Sequence, residues 1–114
     1  MAVTGAHVVL YTPDPDGLRT LLRDTFGFRH VDAGAGWLIF ALPPAEVAVH
    51  PADGPHHELT FMCDDLDATV AELEAKGVEF RPGRQTAGWG VQATMVLPGG
   101  VEVMLYQPRH STTV

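Results

Sequence analysis

Cysteine is nearly absent: Cys63 stands alone among 114 residues. No intramolecular disulfide and no Cys-x-x-Cys metal site can form. Cys63 lies in an apolar run, where a buried and inert thiol is the expectation. Positive charge is also scarce. Seven Lys and Arg face 14 Asp and Glu, a formal net charge of −7. Such a balance argues against a nucleic-acid partner and is compatible with a cationic ligand. Long apolar runs are missing. None approaches the roughly 20 residues that cross a bilayer, so no membrane partner is expected. The N-terminal residues lack a basic stretch followed by an apolar one, and a cytoplasmic location is the simplest expectation. There is no Gly-rich phosphate loop and no Ser-His-Asp order. Disorder is not indicated either, with 46% hydrophobic and 18% charged residues. The length suits a single domain over residues 1–114 with a core of its own.

What is present is an internal repeat. His7-Val-Val-Leu-Tyr-Thr-Pro-Asp leads through a helical run to Gly27 and Phe28. About fifty residues later, Glu58-Leu-Thr-Phe-Met-Cys-Asp-Asp leads through a second helical run to Gly77 and Val78. Leu10 maps on Phe61, Leu22 on Leu73 and Gly27 on Gly77, and His7 falls opposite Glu58.

Each half reads as strand, helix and three strands. In the first (module 1, approximately residues 5–51), a strand over 6–11 precedes a helix capped by Asp14 or Asp16. Its apolar face is Leu18, Leu21, Leu22 and Phe26, and Gly27 is the stop. Strands over 28–31, 36–42 and 46–50 follow, with Pro43-Pro44 as a break. The second (module 2, approximately residues 56–108) has a strand over 57–63 and a helix capped by Asp64 or Asp65. Its stripe is Leu66, Val70 and Leu73. A short strand over 78–80 and a turn at 81–84 precede a hairpin, 89–97 with 101–107, around Pro98-Gly-Gly. The fold class is therefore α+β. Two tandem βαβββ modules with one helix each leave the other sheet face free, and together they form a half-barrel with a concave cavity.

Strand alternation sorts the side chains. Val8, Leu10, Leu59, Phe61, Cys63, Val101, Val103 and Leu105 suit the helix side. His7, Val9, Tyr11, Glu58, Thr60, Met62, Glu102, Met104 and Tyr106 fall on the cavity side. Trp37, Trp89 and Tyr106 are candidates for an aromatic wall. Gly88 and Gly90 flank Trp89 in a loop able to close over a ligand. Arg81 and Arg84 sit in a turn, and His30, His50, His57 and His110 fall at strand or chain ends as surface residues.

The stretches Glu58–Phe80 and Leu97–Pro108 resemble the vicinal oxygen chelate superfamily, which includes glyoxalases, extradiol dioxygenases and bleomycin-resistance proteins. The resemblance covers nearly the whole chain. It implies a small-molecule cavity and a homodimer in which each cavity joins the first module of one chain to the second of its partner. His7 of one subunit would then face Glu58 and Met104 of the other. In the enzymes of this superfamily a divalent metal is held by the first and last strands of the modules. His7 matches one ligand and Glu58 falls where the second is usually His. The usual Glu of the last strand is replaced by Met104, in Val103-Met104-Leu105.

Two readings of the site follow. In one, His7 and Glu58 bind Zn, Mn, Fe, Co or Ni, completed by His56, Glu102 or water, and Glu58 doubles as general base of a lyase or dioxygenase. Glu102 lies about 7 Å along the strand from the expected position. In the other, no cofactor is used. His7 and Glu58 pair by hydrogen bonding. The protein then sequesters an apolar or cationic compound against Trp37, Met62, Trp89, Met104 and Tyr106, as bleomycin-resistance proteins do.

Overall fold

Short capping side chains open both helices, and glycines close them. In the computed structural model, which describes residues 6–114, helix α1 spans Pro15–Thr20 and continues as a π-helical turn, Leu21–Thr25. The expected start of the first module at residue 5 lies outside the described residues. Asp14 caps α1, accepting from the Gly17 amide at 3.0 Å. Helix α2 spans Leu66–Ala75, and Asp65 caps it by accepting from the Ala68 amide at 3.1 Å. Past α2, Gly77 takes a φ of 89° and the Val78 amide donates back to the Leu73 carbonyl at 3.0 Å. Past α1, Gly27 plays the same part, with the Phe28 amide donating to the Leu22 carbonyl at 3.1 Å. The first half carries one more residue than the second between the matched leucine and the stop glycine. The π-helical turn at Leu21–Thr25 absorbs that extra residue.

Among the described residues the strands are, in chain order, β1 His30–Asp32, β2 Leu38–Phe40, β3 Thr60–Met62, β4 Glu79–Phe80, β5 Gln85–Ala87, β6 Gly90–Leu97 and β7 Val101–Pro108. β1 and β2 form a two-stranded antiparallel ladder. The others form one five-stranded sheet, in the order β3-β7-β6-β4, with β5 also paired to β6. Its centre is the long β6–β7 hairpin predicted from sequence. β3 closes on β7 in parallel, with Thr60 beside Met104 and Met62 beside Tyr106. A parallel neighbour requires a crossover, and α2 with β4–β6 supplies it.

Both helices pack on one face of this sheet. Leu66, Val70 and Leu73 of α2 are buried with Ala93, Met95 and Leu97 of β6 and Val103 and Leu105 of β7. Leu18 of α1 joins the same core, and Phe26 and Phe28 meet Phe61 at ring distances of 5.6 and 5.7 Å. The Thr12 hydroxyl donates to the Pro98 carbonyl at 2.8 Å and ties the chain ahead of α1 to the β6–β7 turn. The architecture is α+β, as expected.

The first half is less regular than the sequence predicts. Residues 6–11 and 46–50 form no ladder, and the strands expected over 28–31 and 36–42 are found at 30–32 and 38–40. The strand expected over 57–63 shortens to Thr60–Met62, and β5 is an addition. The cause is a missing partner. In the second half, the hairpin holds β7 against β3. In the first half, Pro43-Pro44 precedes residues 46–50, and proline lacks the amide that would carry a ladder on from β2. Val47 and Val49 are consequently 91% and 97% exposed. Among the described residues, no helix is long and apolar enough to cross a membrane.

Met95 is 0% exposed at the centre of the core. Met95→Ala should lower unfolding stability by about 2–5 kcal/mol in denaturant titration, through lost burial and a residual cavity. A loss under about 1 kcal/mol would mean that the β6–β7 face is not the core.

Candidate functional site

Alternation along β6 and β7 sets the chemistry of the sheet face opposite the helices. Val103 and Leu105 are buried, so Glu102, Met104 and Tyr106 point the other way. The register brings Thr94 beside Met104 and Gln92 beside Tyr106. With β3, two rows cross the sheet: Thr60, Met104, Thr94 and then Met62, Tyr106, Gln92. The Thr94 hydroxyl donates to the Met104 sulfur at 3.2 Å. Gln92 donates to Gln85 on β5, and Arg81 pairs with Glu102. The middle of the face is thus thioether, aromatic ring, hydroxyl and amide; nearer the β6–β7 turn, Glu79 and Glu102 share a row across Val96, and Glu102 is held by the Arg81 guanidinium.

One edge of the face is an aromatic corner. Trp89 and Tyr106 meet edge to face at 5.6 Å. The Tyr106 hydroxyl donates to the Trp89 carbonyl at 2.9 Å and lies 2.6 Å from His110 Nε2. Gly90 makes this approach possible. Its φ is 148°, and a Cβ there would run into the Gln107 carbonyl and lie 2.8 Å from the Tyr106 ring. Partial desolvation, and then the Glu46 carboxylate, raise the Tyr106 hydroxyl above its ordinary pKa. Glu46 itself accepts from the Thr113 amide and hydroxyl, both at 2.8 Å. Those bonds, assisted by His110, hold it below the usual carboxylate range.

Of the residues singled out from sequence, Met62, Trp89, Met104 and Tyr106 come together here. Trp37 does not join them; its ring carries the Arg19 guanidinium of α1 at 4.8 Å. His7 and Glu58 are exposed and lie outside the strands. Cys63 is half-buried rather than buried, and burial raises its thiol pKa, so it stays protonated at neutral pH. Gln92 and Thr94 were missed, though extending the alternation to β6 finds them. His110 and the Glu46–Thr113 tie carry no local sequence signal, because they depend on where the tail folds.

Within a single chain, the donors do not assemble a three-ligand divalent centre. Among the described residues, no three His, Cys, Asp or Glu side chains are placed to hold a metal ion. Met104 offers a soft thioether and Glu102 is engaged by Arg81. Two surface depressions, of about 390 and 580 Å³, lie beside Val78 and Pro98 and beside Asp65 and Arg84, and neither includes Met104.

Comparison with known proteins settles the family. The Glyoxalase/Bleomycin resistance protein/Dioxygenase superfamily profile matches residues 5–105, and the chain belongs to this superfamily. No curated protein matches significantly. Among solved structures, the chain is similar to TnmS3, an antibiotic binding protein from Streptomyces sp. CB03234. Identity is 28%, coverage 95% of this chain and 98% of that one, and the TM-score 0.67. A fosfomycin resistance protein, FosX from Listeria monocytogenes, has 16% identity, coverage 95% and 93%, and TM-score 0.61. Lactoylglutathione lyase from Agrobacterium tumefaciens has 20% identity, coverage 93% and 95%, and TM-score 0.59. At such identities these last two share the fold alone.

Gly90→Ala should displace Trp89 from Tyr106. Its expected signature is a red-shifted, more quenchable tryptophan emission with a stability loss of about 1–3 kcal/mol. Unchanged emission would mean that Gly90 does not set the corner.

Proposed function

We propose that the protein is a small-molecule binder that sequesters an aromatic, apolar or cationic compound without metal catalysis. The observation that carries this reading is Met104. It sits on the open face, bonded by Thr94, where the superfamily resemblance implies that the enzymes carry a metal-binding Glu. A thioether between Thr60 and Thr94, with Tyr106 next on the same face of β7, favours polarisable apolar ligands over a hard divalent ion. The likeness to an antibiotic binding protein over nearly the full length of both chains supports the same reading. Met62, Trp89, Met104 and Tyr106 are the proposed contacts, with Trp37 contributing from the first module. The net charge of −7 suits a cationic ligand.

The binding unit is proposed to be a homodimer, each chain one domain of two modules, approximately 5–51 and 56–108. Val8, Val9, Tyr11, Val47 and Val49 are exposed on segments that form no ladder. A second copy would cover them and close the face into a cavity, bringing His7 of one subunit towards Glu58 and Met104 of the other. In this arrangement His7 and Glu58 form a hydrogen-bonded pair. The lone cysteine suits a reducing, cytoplasmic location.

Metal uptake of untagged protein tests the reading, with Met104→Glu as the contrast. Wild type should retain substoichiometric Zn or Mn after dialysis. Met104→Glu should bind at least about tenfold more tightly, having gained a third hard donor. Stoichiometric metal in wild type that is lost in His7→Ala/Glu58→Ala would instead support a metal-dependent lyase or dioxygenase. Light scattering at micromolar concentration should give twice the monomer mass, and a monomer would contradict the shared cavity.

A further inference from the structure

The contacts around Tyr106 need more protons than the neutral side chains hold. Three close contacts form a chain: Trp89 carbonyl to Tyr106 hydroxyl at 2.9 Å, Tyr106 hydroxyl to His110 Nε2 at 2.6 Å, and His110 Nδ1 to the Ser111 carbonyl at 2.9 Å. Each must contain one proton. Carbonyls supply none. The hydroxyl supplies one, and the Trp89 contact takes it. The other two must come from the imidazole ring, one from each nitrogen. Neutral His110 has one. With the proton on Nδ1, either the Tyr106 oxygen faces the Trp89 carbonyl without a hydrogen, or it faces the bare Nε2. With the proton on Nε2, Nδ1 faces the Ser111 carbonyl bare. Only the imidazolium satisfies all three.

We propose that His110 is a pH-sensitive latch on the aromatic corner: as the imidazolium it holds Tyr106, and through it Trp89, against the binding face, and on losing its proton it lets them go. Histidine is the side chain that ordinarily changes charge between about pH 5 and 8. Three titratable groups lie around His110. Glu46, from the segment between β2 and β3, is a negative neighbour of His110. Arg109 is the adjacent positive residue, and its amide donates to the same Trp89 carbonyl at 2.8 Å. Tyr106 is the remaining titratable group and stays protonated throughout this range. Thr113 on Glu46 anchors the far end of the tail, so the latch is tied both to β7 and to the first half of the chain.

The sign follows from proton number. The latched state binds one more proton than the released state, so it is favoured as pH falls and lost as pH rises through the His110 titration. The consequence for ligands rests on the binder reading. A preordered Trp89 lowers the ordering cost of binding, so affinity should fall as pH rises, and ligand binding should draw a proton onto His110. His110 acts through Tyr106 and is a positioning residue.

The test needs no ligand. Trp37→Phe leaves Trp89 as the one tryptophan of the chain. Its emission, followed from pH 5 to 9, should show a single reversible titration step within the histidine range. The step should vanish in Trp37→Phe/His110→Gln and in Trp37→Phe/Tyr106→Phe, each with its cooperative unfolding transition retained. A flat profile in the parent, or the same step in both double variants, would overturn the latch. Because Trp89 is read in the free protein, a failed latch and a failed binder reading are told apart. A histidine step without any ligand leaves the latch standing alone, and a ligand bound equally across this pH range removes the latch alone.

Discussion

The register between β6 and β7 is the constraint on which the rest depends. Ala93 beside Leu105 and Met95 beside Val103 put the core under the helices, and the same pairing puts Thr94 beside Met104 and Gln92 beside Tyr106 on the other face. A slip of one residue would turn every one of these side chains over. The eight-residue strands joined at Pro98-Gly-Gly hold that register, and α2 seals it by laying Leu66, Val70 and Leu73 on one side only. The chemistry of the open face is therefore the complement of the core. Wherever an aliphatic residue was needed inside, its strand neighbours were left free to serve recognition.

The two halves of the repeat resolve the same plan differently. The second makes its own closure, because β3 finds β7 as a parallel neighbour. The first leaves β-rich segments without ladders and large apolar side chains exposed. Unpaired edges of this kind invite pairing with another chain. Folding of one chain and the proposed assembly of two are linked: the surface left unfinished by the first half is where a second copy would close the open sheet face. In a single chain Trp37 stacks on Arg19 and His7 is exposed outside the strands.

Much of the fold was legible in the residues. The glycine stops, the α2 stripe and the hairpin have local causes, and so do the caps, each narrowed to two aspartates of which the structure uses Asp14 and Asp65. The orientation of Met62, Met104 and Tyr106 was legible too, since a period of two needs no tertiary knowledge. Strand existence in the first half was not, because β-propensity describes a residue's fit to a sheet and cannot supply the missing neighbour. The extra residue of the π-helical turn was visible as a break in the repeat offset, without a structural meaning until the helix was seen. Least legible were the Trp37–Arg19 stack and the His110 contacts. Both arise from chain segments meeting at a distance, and nothing in their local spacing marks them.

The claim at the centre is that the Met104 face recognises a compound and returns it unchanged. Calorimetric titration with a panel of aromatic and cationic antibiotics, bleomycin among them, addresses it directly. Each titration is run in chelator and again with added Mn or Zn, and the ligand is recovered for mass measurement. Saturable binding that is the same with and without metal, with the ligand mass unaltered, is the expected result. A ligand chemically converted only when metal is present would contradict it, and would return Glu58 and His7 to the centre of a catalytic account.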